Sequence, residues 1–352
     1  MSRATPDSRR WGVGIVGSGL VTRSIHLPVL AALADRFAVR GLWDVDFDLA
    51  DATARTCGAI AARTLEALLE DRAIDVVVIG SPAQFHARQT IAALRAGKRL
   101  VLVEKPLCST LEEAAAIDCA VRETGGMVVV GAMHLFDPAW LFMKEQVSRQ
   151  ANAPALVRSC IILPPNSRFD NWSNEVILPP STPARSPAPR SDAMVIHAAI
   201  MGLAIHDLPL VRRLLVDHGA PQVLHAVRLA PFGYMLTVRA GEQMVDMFAF
   251  MHGHWRPEWT LTASAEDWQA HAEFTPSFVM AGSGQTSFAT AESVASQPVM
   301  RDNGYTGEWL AIAAMLSGDA PPPDPDEVVQ DFIFALTIAE QAAALIDKGA
   351  CQ

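Results

Sequence analysis

The stretch WGVGIVGSGLVTRSIHLPVLAALA, residues 11–34, has the pattern of a strand, a glycine turn and a helix in succession. The apolar run ends at Gly17, which permits a tight turn, and Gly19 lets the backbone approach a bound pyrophosphate. The following helix offers free N–H groups and the positive end of its dipole to such an anion. Dinucleotide contacts are therefore predicted for five consecutive residues: Gly17, Ser18, Gly19, Leu20 and Val21. Thr22 replaces the third glycine of this turn and is expected to loosen helix–strand packing slightly.

A second apolar run, Phe37 to Trp43, ends at Asp44. A carboxylate at this point can accept hydrogen bonds from the adenosine ribose hydroxyls, and its charge would repel a 2′-phosphate. No arginine follows closely in the sequence to hold that phosphate, so NAD is favoured over NADP as the cofactor. The alternative is that Asp44 is simply a helix N-cap, which is common at such a position.

Two more predicted strands, residues 74–79 and 99–103, lead into Ser81-Pro82 and Glu104-Lys105-Pro106. Pro106 cannot continue a sheet ladder, so Lys105 is expected at the carboxyl end of its strand. Ligands bind at that edge of open α/β sheets. Strands separated by helices indicate βαβ units, and the fold class is therefore α/β with a doubly wound parallel sheet. A surface lysine without a ligand is the alternative for Lys105 taken alone.

The bulk composition narrows the function classes. With 352 residues the chain is long enough for two domains, and its net charge of -10 argues against nucleic-acid binding. No apolar run reaches about 18 residues, so no membrane span is expected, and the polar N-terminus lacks a signal-peptide pattern. The cysteines are scattered without a Cys-x-x-Cys pair, which predicts reduced thiols, a cytoplasmic location and no metal site.

Five stretches resemble the Gfo/Idh/MocA family, the relatives of glucose–fructose oxidoreductase and inositol dehydrogenase. They are GVGIVGSGLVTRSIHLPVL, SPAQFHARQTIAALRAGKRLVLVEKPL, GAMHLFDPAW, GLAIHDLPLVRRLL and YTGEWLAIAAMLSG. The resemblance implies a Rossmann domain, placed at residues 1–133, and a C-terminal α+β domain, residues 134–352, with a large, mostly antiparallel sheet. An alternative in this division is that the last helix packs back on the first domain. Family members commonly form oligomers through that sheet, so a homodimer or homotetramer is expected.

The resemblance also implies an activity and a site. The reaction would be hydride transfer between a nicotinamide and a carbon of a small polar substrate, commonly a sugar or cyclitol. Lys105 matches the family lysine that contacts substrate and cofactor, and an ammonium there can stabilise a developing oxyanion or pass a proton. His86, Ser81, Pro82 and Glu104 are expected on the cofactor side. His206 matches the active-site histidine, with a structural helix histidine as its alternative.

The sequence departs from the family pattern near His206. Residues 192–216 have the pattern of one long helix, in which position 202 shares a face with His206. The family often has an aspartate there, whereas this chain has Gly202. Asp207 is not expected to replace it, because the next residue points about 100° around the helix. His134 stands where the family often has an arginine and is a candidate substrate contact.

Three interpretations remain open at this point. The chain is an active dehydrogenase that uses Lys105 with His206 and His134, a reductase of imines or conjugated double bonds, or an NAD-binding regulatory or scaffold protein. The proline-rich segment 164–190 adds two candidate substrate contacts, Trp172 and Asn174, with a surface lid that makes no specific contact as the alternative. Residues 222–274 alternate strand-like runs with turns, as expected for an antiparallel sheet.

Overall fold

The computed structural model describes residues 10–164, 191–216, 220–251 and 256–349. The chain divides into two compact units. The first comprises the chain up to Gly131 together with Trp309–Val329, and the second comprises Ala132–Glu308 and the chain from Gln330 onward. The sequence placed the boundary after residue 133, close to Gly131, but assigned all later residues to the second domain. Trp309–Val329 joins the first unit although about 180 residues of the second unit separate it from Gly131 in the sequence, so no local pattern predicts this grouping.

The first unit is built on six parallel strands, in the order β3-β2-β1-β4-β5-β6. The strands are β1 (Trp11–Val16), β2 (Phe37–Trp43), β3 (Ile60–Ala61), β4 (Val76–Ile79), β5 (Leu100–Glu104) and β6 (Met127–Gly131). Between them lie α1 (Leu27–Ala32), α2 (Phe47–Cys57), α3 (Leu65–Glu70), α4 (His86–Arg95) and α5 (Leu111–Thr124). The interior strand β4, and its neighbour β5 as far as Val103, are continuous runs of buried apolar residues, as a sheet covered on both faces requires. This confirms the predicted doubly wound parallel sheet and its Rossmann strand order.

The second unit is built on an eight-stranded sheet, in the order β14-β13-β12-β11-β7-β10-β9-β8. Only the β7–β10 pair in it is parallel among the described strands. The strands are β7 (Leu156–Leu163), β8 (Gln222–Arg228), β9 (Phe232–Ala240), β10 (Gln243–Met251), β11 (Glu258–Ser264), β12 (Trp268–Glu273), β13 (Gln285–Thr290) and β14 (Val294–Gln297). Burial alternates along β10, so one face of the sheet is covered and the other more exposed. The predicted large, mostly antiparallel sheet is confirmed.

The remaining helices are α6 (Pro138–Ser148), α7 (Asp192–Gly202), α8 (Leu208–Leu214), α9 (Gly304–Ser317) and α10 (Pro325–Gly349). By length and composition α10 qualifies as a membrane-crossing helix, and so does the bent α7–α8 pair if counted as one span. Core helices of soluble proteins meet the same criterion, and α10 buries Phe332, Phe334 and Ile338 among others. No membrane span is expected here from unbroken apolar runs, because Asp331 and Glu340 interrupt the apolar residues of α10.

The prediction of one long helix over residues 192–216 is wrong. Helix α7 ends at Gly202, a 3₁₀ turn covers Ala204–His206, and α8 starts at Leu208, with a bend of 65°. Pro209 accounts for the restart, because a proline inside a helix lacks an N–H and its ring clashes with the carbonyl of the preceding turn. In the first turn of a new helix the same residue is well tolerated.

Candidate functional site

The glycine turn after β1 depends on Gly17. Its φ of 97° lies in the left-handed region, and a Cβ there would be 2.7 Å from the carbonyl oxygen of Gly80. Around a Cβ built on Gly19, by contrast, no atom of the described structure lies within 4 Å. The backbone is therefore tightly packed on one side of the turn and open at Gly19. This arrangement fits the close approach of a pyrophosphate that the sequence predicted. Ser18 is buried, and the neighbouring Leu20 and Val21 are partly exposed.

Thr22 closes the turn rather than loosening it. Its side chain is fully buried, and its hydroxyl donates a hydrogen bond of 2.7 Å to the carbonyl of Gly17. The expected cost of replacing the third glycine is thus offset by a bond that glycine cannot make. Thr22 also begins a π-helical turn, Thr22–His26, that leads into α1. Turns of this kind are frequent at functional sites.

Asp44 is bound to the glycine turn and is not a helix cap. Its Oδ2 accepts a hydrogen bond of 2.7 Å from the Ser18 amide, and its Oδ1 accepts one of 3.0 Å from the Asp46 amide. The N-cap of α2 is instead Asp46, whose side chain accepts from the Leu49 amide. The structure therefore places a half-buried carboxylate directly beside the predicted pyrophosphate turn, where the ribose of a dinucleotide would lie.

One arginine that is distant in the sequence packs at the start of α2, the helix that follows β2. The guanidinium carbon of Arg63 lies 3.9 Å from the ring centroid of Phe47, the first residue of α2. Stacking on an aromatic face is a common arrangement for arginine. Phe47 is three positions after Asp44 in the chain, so this cation bears on the choice between NAD and NADP.

Ser81 and Pro82 follow β4, and His86 joins them to the Glu-Lys-Pro stretch. His86 is buried, with Nε2 at 2.7 Å from the Ser81 carbonyl oxygen and Nδ1 at 2.7 Å from the Pro106 carbonyl oxygen. Each ring nitrogen therefore faces one backbone carbonyl oxygen, a group that only accepts hydrogen bonds. His86 thus links the Ser81-Pro82 turn to the Glu-Lys-Pro stretch, and a contact of His86 with the cofactor stays a prediction.

Glu104 ends β5, and Lys105 follows it at the carboxyl edge of the sheet. Since β2, β1, β4 and β5 are neighbours, Asp44, Gly17–Gly19, Ser81 and Lys105 all lie along one edge of the first unit. Lys105 is half-buried, and desolvation lowers its pKa from the ordinary value of 10.5, opposed in part by the charge of Glu104. A lysine with a depressed pKa at a ligand-binding edge is suited to proton transfer.

The second unit contains a buried polar cluster around Asp207. This carboxylate is fully buried and accepts hydrogen bonds from the Ser159 hydroxyl at 2.6 Å and the Trp259 indole N–H at 2.7 Å. Nδ1 of His134 lies 3.6 Å from the same carboxylate, and neither ring nitrogen of His134 has a hydrogen-bond partner among the described residues. The ring of His206 is centred 6.3 Å from that of His134. The structure therefore brings together His134, His206 and Asp207.

Two expectations about this region need correction. Gly202 and His206 do not share a helix face, because α7 ends at Gly202. Asp207, which helical geometry seemed to exclude, is the carboxylate of the histidine cluster. No local pattern predicts this role, because the hydrogen-bond partners of Asp207 come from β7 and β11. A Cβ at position 202 would lie 3.8 Å from Phe232, an ordinary contact, so glycine is not required there for lack of space.

Two of the predicted substrate contacts, Trp172 and Asn174, lie outside the described residues. Within the described ranges, no group of three or more His, Cys, Asp or Glu side chains is placed to hold a metal ion.

The chain is similar in sequence and in fold to known sugar and cyclitol oxidoreductases. The chain is 29% identical over 215 residues to 1,5-anhydro-D-fructose reductase of Ensifer adhaerens, an alignment that covers 61% of this chain and 59% of that one. It is 28% identical over 218 residues to inositol 2-dehydrogenase 2 of Saccharopolyspora erythraea, covering 61% and 57%. These alignments thus span less than two thirds of either relative. The solved UDP-N-acetylglucosamine 3-dehydrogenase of Acidithiobacillus ferrooxidans superposes with a TM-score of 0.72 at 17% identity, covering 96% and 99%, which shows a shared fold.

The parallel sheet and its glycine turn define a nucleotide-binding Rossmann protein. Residues 11–132 match the Gfo/Idh/MocA family model, described as "Oxidoreductase family, NAD-binding Rossmann fold". The resemblance seen in the sequence is confirmed over this segment, which matches the NAD-binding domain of that family.

Proposed function

We propose that the chain is an NAD-dependent oxidoreductase that transfers a hydride to or from the hydroxyl or carbonyl carbon of a sugar, cyclitol or related small polar molecule. The observation that carries the proposal is the convergence of the glycine turn, Asp44 and Lys105 on one edge of the parallel sheet. The names of the relatives, a sugar reductase and an inositol dehydrogenase, support the substrate class. Cytoplasmic location and assembly through the second sheet remain predictions.

The residues of the chain have distinct tasks in this proposal. The turn amides and the helix start bind the pyrophosphate, and Asp44 binds the adenosine ribose. A nicotinamide bound at this edge supplies the hydride chemistry. Lys105 then moves a proton at the substrate oxygen: as the ammonium it gives a proton to an alkoxide in reduction, and as the neutral amine it takes one in oxidation. His206 and His134, beside the buried charge of Asp207, are candidates for a further contact with the substrate.

The proposal is tested with purified protein by measuring NADH and NADPH binding, followed by turnover on a panel of sugars, cyclitols and their keto forms. Binding of NADH with turnover of at least one keto sugar or keto cyclitol is the expected result. Turnover confined to imines or conjugated double bonds would favour a reductase of those groups. NADH binding without turnover on either panel would favour a regulatory or scaffold role.

Cofactor preference depends on Asp44. Removing this carboxylate in Asp44→Ala deletes a charge-assisted hydrogen bond to the ribose, worth about 1.5–3 kcal/mol, or roughly 10- to 100-fold in NADH affinity. NADPH binding is expected to weaken less or to improve, because the charge opposed to the 2′-phosphate is gone and Arg63 lies at the same end of β2. Relatives named for NAD and for NADP both occur, so the switch is within the range of the family. Titration with both cofactors checks it, and equal losses for the two would refute a discriminating role.

The pH dependence of turnover follows from the lowered pKa of Lys105. Oxidation needs the neutral amine, so its rate is expected to rise with pH through the lysine pKa and to level off. Reduction needs the ammonium, so its rate is expected to fall through the same midpoint. Both midpoints lie below 10.5, the ordinary lysine value, because burial disfavours the charged form. Profiles of kcat in both directions measure this, and limbs with the same sign would contradict the proton-transfer role.

A further inference from the structure

A buried histidine and tryptophan lie behind the Glu-Lys-Pro stretch. His26, at the end of the π-helical turn, is only 1% exposed, and Trp309 in α9 is fully buried. The Trp309 indole N–H donates to Nδ1 of His26 over 3.3 Å, and Nε2 of His26 lies 3.0 Å from Oε1 of Glu104. All three residues belong to the first unit, although 283 positions separate His26 from Trp309.

The two hydrogen-bond partners of His26 determine which tautomer its imidazole adopts. An indole nitrogen can only donate, so Nδ1 of His26 must present its lone pair. The ring proton is then on Nε2, which donates to the Glu104 carboxylate. Phe37 packs edge-on against Trp309, with ring centroids 5.0 Å apart, and holds the indole in place. The hydrogen bonds therefore run in one direction, from Trp309 through His26 to Glu104.

Glu104 is held on its other side by backbone. A Cβ on Gly131 would be 3.2 Å from the Glu104 carboxyl carbon, so the carboxylate occupies the space that this glycine leaves. One oxygen of the carboxylate is bound by His26, and the next residue in the chain is Lys105. The charge of Glu104 favours the ammonium form of Lys105 against desolvation. The described contacts also place His86 near this stretch, through its bond to the Pro106 carbonyl.

We propose that His26 is a positioning residue of the site: with its tautomer set by Trp309, it holds the Glu104 carboxylate where its charge acts on Lys105. The proposal rests on the proposed function, since it gives His26 a task only if the state of Lys105 matters for turnover. It predicts that loss of the imidazole changes the ionisation of Lys105 and not merely the stability of the fold.

The ionisation of Lys105 can be measured without substrate or cofactor. The lysines of the chain are Lys98, Lys105, Lys144 and Lys348, so reductive methylation with ¹³C-formaldehyde gives few lysine signals to follow by NMR. Lys105→Arg identifies the signal of interest, and Lys144 and Lys348, which are exposed, serve as internal references. The full-length chain is titrated as wild type, His26→Leu, His26→Gln, Trp309→Phe and Glu104→Gln.

Loss of the Glu104 charge in Glu104→Gln should lower the Lys105 midpoint, and His26→Leu should lower it in the same direction, by roughly half a pH unit or more. His26→Gln should restore most of the wild-type value, because its amide can donate to Glu104 and accept from Trp309. Trp309→Phe should give a smaller shift of the same sign. The reference lysines should not move.

A folded His26→Leu variant with an unchanged Lys105 midpoint would overturn the proposal. If that variant does not fold, Trp309→Phe decides the question, and an unchanged midpoint there would overturn it equally. Failure of the proposed function is a separate result: it would appear as full turnover in Lys105→Ala, whereas this titration reports the state of the lysine whether or not it serves catalysis.

Discussion

Lys105→Ala is expected to reduce kcat by roughly 1,000-fold while NADH still binds. The side chain stands at the carboxyl end of β5, and a positioned proton donor or acceptor contributes about 10²- to 10⁴-fold to such reactions. The glycine turn and Asp44 lie after other strands, so they keep their contacts with the cofactor. Steady-state turnover and a fluorescence titration with NADH, on the same preparation, measure the two effects separately.

Two further variants sharpen this experiment. Lys105→Arg keeps a cation that stabilises an oxyanion but cannot give up its proton at accessible pH, so partial activity in it would assign the main contribution to electrostatics. Lys144→Ala removes an exposed lysine of the second unit and should leave turnover unchanged. Wild-type kcat in Lys105→Ala would refute the central role given to this residue.

Asp331→Leu is expected to lower the free energy of unfolding by about 3–5 kcal/mol. In the second unit Asp331 of α10 faces two arginines of α8, with Arg212 Nε at 2.6 Å and Arg213 Nη1 at 2.9 Å. Arg212 is 3% exposed, so the variant leaves a guanidinium buried without this carboxylate. Desolvation raises the pKa of Asp331 even beside two cations, which shows how strongly this environment disfavours charge. Urea denaturation with an unchanged m-value measures the loss.

The same helix supplies a matched control. Asp326 pairs with Arg122 at an exposed position, where its side chain is 72% accessible, and Asp326→Ala should change stability little. The double variant Arg212→Met, Asp331→Leu removes both buried charges and should recover much of the loss, since apolar pairs often replace buried ion pairs without cost. A loss at Asp331 no larger than at Asp326 would contradict the role of burial.

The parallel sheet of the first unit can be predicted from local sequence, because the patterns that indicate its strands and turns each lie within a short stretch of chain. An apolar run, Gly17 with its positive φ and the helical pattern after it require no distant partner to be recognised. The placement of Lys105 was equally local, since a proline after a strand ends the ladder. The resemblance to a known family added a Rossmann domain, in which the carboxyl ends of parallel strands bring Asp44, Ser81 and Lys105 to a common edge.

Tertiary structure alone decided which distant groups surround those residues. Helical geometry argues against Asp207 as a site carboxylate, yet the chain breaks between α7 and α8, and hydrogen bonds from Ser159 and Trp259 hold Asp207 beside His134. Trp309 lies 283 positions from His26 and still sets its tautomer. Sequence patterns report periodicity along one element, whereas buried polar groups find partners across the fold wherever desolvation must be compensated. The sequence by itself therefore determined the sheet edge and the lysine on it, and the tertiary structure determined the polar partners behind them.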